Sequence, residues 1–237
     1  GAPLGDRRVL AVSGEDRLTW LDSLTSQALK QLPPGESTEL LVLDPNGRVE
    51  HAASIVDDGE TTWLIVDAST ADSLLTWLTR MRFRLRVVPR DASSEFVVFG
   101  GRRAAVDALG VAAPHGVALV WQGPWPLVTT GGWGYADAAA HPGLDRDWAE
   151  GLLTTEDAAD FAADSSAVLA GVWAAEALRI AAWRPRASAE IDGRTLPHEV
   201  DWLRTAVHMN KGCYRGQETV AKVHNLGHPP RRLVGLQ

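Results

Sequence analysis

The residues best suited to chemistry stand together near the end of the chain: Lys211-Gly212-Cys213-Tyr214-Arg215-Gly216-Gln217-Glu218-Thr219. Two glycines flank a thiol, so the backbone can turn sharply there and approach a ligand closely. Lys211 and Arg215 bracket Cys213. Aimed at it, they would favour the thiolate and raise its reactivity. Gln217 and Glu218 add an amide and a carboxylate. Thr219–Val223 reads as a strand, which makes the arrangement a reactive thiol on a glycine hinge at a strand entrance. A plain structural turn around a small buried thiol fits the same residues. Nucleophilic work needs a base near the sulfur, and His208 and His224 qualify by type.

Cys213 with His208, His224 and His228 offers donor atoms for a metal, but the spacings match none of the usual zinc patterns. No protein-only metal site is expected. One cysteine cannot complete a cluster site without outside ligands, nor can it form an internal disulfide, so a reducing cytoplasm is the expected location. From Trp202 to Gln237, six basic residues (Arg204, Lys211, Arg215, Lys222, Arg231, Arg232) face one acid, Glu218. An anionic ligand or partner would favour this end, and so would a merely solvated basic face.

The elements that must position these groups follow from the apolar pattern. Val9–Val12 reads as a strand. Leu18, Leu21, Leu24, Ala28, Leu29 and Leu32 recur at helical spacing, up to Pro33-Pro34-Gly35. Glu39–Leu43, Arg48–Val56 and Thr61–Val66 read as three strands joined by the turns Asp44-Pro45-Asn46-Gly47 and Asp57-Asp58-Gly59-Glu60, an antiparallel meander. A helix with Leu74, Leu75, Trp77, Leu78 and Met81 on its apolar face follows, capped by Ser69 or Thr70. Further strands are expected at Leu85–Val88, Phe96–Phe99 and Val117–Trp121, with a short helix at Arg102–Leu109. Gln122 to Pro142 reads as loop, and Glu156–Trp183 as one or two helices closed by Arg184-Pro185. The pattern is α+β: antiparallel meanders with packed helices. It divides into regions 1–90, 91–150 and 151–237.

With 237 residues, 45% hydrophobic and 22% charged, the chain can bury a real core. A net charge of −7 argues against general nucleic-acid binding. No apolar run is long enough for a membrane helix, and the start has no signal-like apolar core.

Lys211 to Glu218 resembles the K-G-C-Y-x-G-Q-E signature of the YgfZ family of folate-binding iron–sulfur maintenance proteins, with every fixed position present. Gly14-Glu15-Asp16 with Trp20-Leu21 is similar to the family's first helix, and Leu40–Val49 to its first hairpin. Leu196-Pro197-His198-Glu199 is similar to a Pro-x-Glu element before the signature, and Arg231-Arg232-Leu233 to the basic stretch after it. The resemblance implies the fold of the glycine-cleavage T-protein, an aminomethyltransferase, built around a central cleft for tetrahydrofolate. It also implies iron–sulfur client or assembly proteins as partners. Cys213, Lys211 and Glu50 become the expected working residues. Arg179, Trp183, Tyr214, Arg215, Gln217 and Glu218 become the expected folate contacts.

Three departures bear on activity. Glu50-His51 stands where the T-protein has an Asp-Asp pair. Arg179-Ile180-Ala181-Ala182-Trp183 stands for Arg-x-Glu-x-Gly, so the pterin-binding Glu position is Ala181 and the Gly position is Trp183. Ser26-Gln27-Ala28 replaces a common Thr-x-Asp. The match ends at Gln237, where the family continues into a small β-barrel, which is expected to be absent or truncated. Three functions remain open: a folate-binding accessory protein for iron–sulfur cluster assembly or repair, a tetrahydrofolate-dependent one-carbon transferase or demethylase, and a scaffold that no longer binds folate.

Overall fold

The structure is a computed structural model and describes residues 1–135, 140–164 and 169–234. Parts of the expected loop (136–139) and of the expected helical stretch (165–168) lie outside the described residues.

Two antiparallel sheets carry the fold. The first contains β2 (Arg7–Ser13), β3 (Ser37–Leu43), β4 (Val49–Asp57), β5 (Thr61–Asp67) and β6 (Val88–Asp91), in the order β3-β4-β5-β2-β6. The second contains β1 (Ala2–Pro3), β7 (Phe96–Gly101), β8 (Val120–Gln122) and β9 (Ala149–Thr154), in the order β1-β7-β9-β8. The meander is present in register, with Leu41 opposite Ala52 and Ile55 opposite Leu64. Among the described residues neither sheet closes into a barrel, and no helix is long and apolar enough to cross a membrane.

Alternation explains why the first sheet is buried on both faces. Leu10, Val12, Leu40, Val42, Leu64 and Val66 pack under the helices α1 (Arg17–Leu24) and α2 (Ala68–Met81). Val9, Ala11, Trp63 and Ile65 point the other way, onto Val98, Trp121, Trp148 and Leu152 of the second sheet. Leu41, Leu43 and Val49 form a third core with Trp125, Trp202, Tyr214 and Val220. Around the second sheet run α3 (Arg103–Asp107), α4 (Thr155–Ala163) and α5 (Val172–Ala181), while α6 (Ala187–Glu190) packs on the third core. Two 3-10 turns, Pro197–Val200 and Trp202–Arg204, lead to α7 (Gln217–Leu226).

Several expectations are corrected. The first helix stops at Leu24 rather than running on to Leu32. Asp22 Oδ1 accepts the Leu29 N–H at 2.8 Å, and the buried Ser26 hydroxyl donates to the Ala206 carbonyl at 2.6 Å while accepting from Leu41 N–H at 2.9 Å. These bonds hold residues 25–29 in an unwound exit. Helix α2 starts at Ala68 after Asp67, with no side-chain cap from Ser69 or Thr70. The segment Thr219–Val223 is helix, not strand. Gly216 at φ +83° opens it and Gly227 at φ +98° ends it, so chain reversals at both ends override the modest strand preference of Thr and Val. Strand β9 falls where the sequence pattern assigns no element.

Candidate functional site

The signature loop is held on all sides while its thiol is left outside. Tyr214 is buried in the third core, and burial pushes its phenol pKa up. Gly216 sits in the left-handed region, which favours glycine, because the loop lands on the β3–β4 turn. A Cβ there would lie 2.5 Å from the Asp44 carbonyl oxygen and 2.9 Å from Gly47 Cα. The Asn46-Gly47 hairpin turn and the signature thus meet backbone to backbone. Gly212, by contrast, has ordinary φ and open space around it. Cys213 is exposed.

Lys211 does not face the thiol. Its ammonium donates to the carbonyls of Asp22, Thr25 (2.9 Å) and Gln27 (2.7 Å), and lies 3.7 Å from Asp22 Oδ1. The side chain is 3% exposed. Burial lowers its pKa to about 8, against the attraction of Asp22. These are the carbonyls left over where α1 unwinds. Lys211 therefore ties the loop to the end of α1, and the expectation that it tunes Cys213 loses its geometric premise.

Arg215 and Glu50 are brought together. Arg215 Nη1 donates to Glu50 Oε2 at 2.9 Å, both side chains being about a third exposed. Glu50 is the extra residue of a β-bulge, since Leu43 pairs with Val49 and Val42 with His51. The bulge re-aims its carboxylate towards the signature loop. Gln217 Nε2 donates to the Lys211 carbonyl at 3.3 Å and closes the loop on itself. Glu218 is exposed. Beside Cys213, Lys211 and Gly212 line an open groove of about 690 Å³ with His208, Thr129 and Thr130.

Arg179 and Trp183 are in neither place, nor are they together. Arg179 is buried and donates to Glu176 (2.9 and 2.5 Å), Glu190 (2.9 and 3.0 Å) and the Arg184 carbonyl (2.5 Å). It lines the cleft between the sheets, where Arg184 pairs with Glu39, and Arg7 and Arg186 pair with Asp67. Burial opposes ionisation of Asp67, yet the two guanidiniums and the Ser188 N–H hold its pKa below the usual carboxylate range. The free volume of this cleft is about 50 Å³, room for a few waters where a cofactor pocket measures about 300–1,000 Å³. This cleft is filled by ion pairs. Trp183 instead borders a separate aromatic cavity of about 380 Å³ with Trp125, Tyr135 and His198.

The basic end is largely neutralised. Arg204 pairs with Asp201 (3.0 Å), Arg215 with Glu50, and Arg231 with Asp192 (3.0 Å) and Glu199 (2.7 Å). The Glu199–Arg231 pair joins the Pro-x-Glu element to the basic stretch near the chain end. No group of three or more metal-ligating side chains occurs among the described residues. Sequence reasoning missed the aromatic cavity with His198 and Asp201. Trp content hinted at such a slot without locating it.

No protein-family model matches the chain. It is 26% identical over 260 aligned positions to the iron-sulfur cluster assembly factor IBA57 homolog, mitochondrial, of Mycosarcoma maydis. That alignment covers 99% of this chain and 56% of the relative, so the chain spans little more than half the relative's length. The crystal structure of glycine cleavage system aminomethyltransferase T from Bartonella henselae superposes with a TM-score of 0.69 at 16% identity, over 95% of this chain and 63% of that one. The mixed fold of antiparallel sheets and packed helices is that of the T-protein. Signature, relative and fold agree in what the chain is similar to: a YgfZ-type sequence on an aminomethyltransferase-like fold.

Proposed function

We propose that the protein is an accessory factor for iron–sulfur cluster assembly or repair, with Cys213 as its working thiol. The observation that carries this reading is the contrast within the signature loop. Lys211, Tyr214, Arg215 and Gly216 are each committed to the body of the protein, while the cysteine between them is exposed. A fixed thiol open to solvent suits contact with another protein or its cluster, because a partner can reach it without the loop rearranging. The name of the fungal relative points the same way. One thiol provides one ligand, so a cluster engaged here is cargo whose remaining ligands come from the partner.

Nothing at Glu50 favours a one-carbon transferase. Its carboxylate is held at the surface by Arg215.

The test is genetic and biochemical. Deleting the gene is expected to lower the activities of iron–sulfur enzymes while leaving their protein levels unchanged, and re-expression restores them. Unchanged iron–sulfur enzyme activities in the deleted cells would refute the reading.

A further inference from the structure

The segment between α2 and β6 stands out by its charge. From Arg80 to Arg90 it carries five arginines in eleven residues and no acid. Arg82, Arg84 and Arg86 alternate with Phe83 and Leu85. Arg86 pairs with Glu15 and with Asp16 (3.2 Å), and Arg90 pairs with Glu95. Arg80, Arg82 and Arg84 are exposed, and their guanidiniums have no ion-pair or hydrogen-bond partner among the described residues. Exposed cations are ordinarily just solvated, so the charges alone assign nothing.

The apolar residues among them are outside as well. Phe83 is 78% exposed, Leu85 45% and Val88 51%. Phe83 takes φ +46°, an outlier for a bulky side chain at a position where glycine would sit without strain. Packing does not explain it, since the ring is in solvent. The segment is nevertheless held at both ends. Trp20 Nε1 donates to the Met81 carbonyl at 3.1 Å, Arg86 N–H donates to Asp16 at 2.9 Å, and Val87 is buried in the first core. Between these anchors Leu85 N–H donates to the Arg82 carbonyl at 3.0 Å. The result is a built protrusion whose strained backbone turns an aromatic ring outward.

Cations interleaved with apolar tips suit an acidic protein, a nucleic acid or an anionic lipid surface. Strand β6 lies at the edge of its sheet, but Pro89 lacks the N–H that an added peptide strand would need. None of the cavities described above includes a residue of the loop, so it has no slot for a base or a peptide side chain. A bilayer surface needs no slot. It takes apolar tips at the level of its headgroups and attracts each nearby arginine. The net charge of −7 does not oppose this, because charges farther than about 8 Å are largely screened at physiological salt.

We propose that the loop Arg80–Val88 docks the protein peripherally on an anionic lipid surface. Arg80, Arg82 and Arg84 meet the lipid phosphates, while Phe83 and Leu85 enter the boundary between headgroups and acyl chains. The attachment is reversible, since a few arginines and two apolar tips fall short of a stable anchor. This inference is independent of the role given to Cys213, and either stands if the other fails.

The intact chain is sedimented with vesicles of equal parts phosphatidylglycerol and phosphatidylcholine, and with vesicles of phosphatidylcholine alone. At low salt it is expected to bind the anionic vesicles at least about tenfold more tightly than the neutral ones, and to lose that preference at about 1 M salt. Each arginine near the surface contributes about fivefold, so Arg82→Ser and Arg84→Ser together should weaken binding about 25-fold. Phe83→Gly relieves the strained backbone, so it should melt no lower than the wild type while binding at least about fivefold more weakly. Trp173→Ala removes a tryptophan 89% exposed on α5 and should bind as the wild type does. The proposal is overturned by no sedimentation with anionic vesicles up to about 5 mM lipid, or by equal binding to neutral ones. Binding that either Phe83→Gly or the double arginine variant leaves intact overturns it too, as does equal weakening by Trp173→Ala. Retention on polyglutamate or on a single-stranded oligonucleotide, without vesicle binding, would assign the loop to an acidic protein or a nucleic acid instead.

Discussion

Replacing Gly216 by alanine tests how the thiol is presented. Two costs add. An L-residue in the left-handed region costs about 1–2 kcal/mol. The new methyl would also stand 2.5 Å from the Asp44 carbonyl oxygen and 2.9 Å from Gly47 Cα, both backbone atoms of the hairpin turn. Neither can swing aside as a side-chain tip could, and such overpacking costs about 1–3 kcal/mol. The sum is about 2–5 kcal/mol, a large share of an ordinary domain's stability. It corresponds to a fall in melting temperature of about 4–20 °C for a chain of this size. Gly212→Ala is the matched control, since nothing lies within 4 Å of its added methyl. Its effect should stay within about 0.5 kcal/mol. Urea denaturation of the two variants beside the wild type reads the difference. Equal midpoints for Gly216→Ala and Gly212→Ala would show that docking on the hairpin turn does not hold the loop.

Further predictions follow from the same geometry. Lys211→Met leaves the carbonyls of Asp22, Thr25 and Gln27 without their shared donor and should cost about 2–3 kcal/mol in urea. The alkylation rate of Cys213 should change less than about twofold in that variant, because the ammonium never faced the sulfur; a large rate change would restore the tuning role. In the native protein Cys213 should react with a small maleimide nearly as fast as in urea, and strong protection would contradict its exposure. Burial holds the His198 pKa down to about 4 in the folded chain, against the ordinary imidazole value of 6.5. The unfolded chain therefore binds the extra proton as pH falls from 6.5 towards 4, and stability drops across that window. Between pH 7 and pH 5 this amounts to about 2 kcal/mol, with His51, also held to about 4 by burial, adding in the same direction. Urea midpoints at the two pH values measure the drop, which His198→Gln should shrink.

The sequence carries some of this architecture openly and some not at all. The β3–β4 hairpin was readable because Asp44-Pro45-Asn46-Gly47 is a turn by local chemistry and both strands alternate. Strand β9 was not. Its Ala149-Glu150-Gly151-Leu152-Leu153-Thr154 lacks β-branched residues before Thr154, and Gly151 is present because a Cβ there would strike Val111 and Val106, a tertiary reason. Helix α7 reads as strand for the converse reason: Thr219, Val220 and Val223 favour strand locally, but Gly216 and Gly227 set the turns at its ends. Of the two glycines around Cys213, spacing alone made them equivalent, and only the contact with Gly47 singles out Gly216. The chemical identity of the signature was legible. The destination of the Lys211 ammonium was not, because its acceptors are backbone carbonyls nearly two hundred residues away in sequence.

The central claim is most directly tested by Cys213→Ser in cells that lack the gene, with iron–sulfur enzyme activity as the readout and the urea midpoint of the purified variant as the control. The account predicts a midpoint matching the wild type and a failure to restore enzyme activity. Full restoration by a stably folded Cys213→Ser would contradict it.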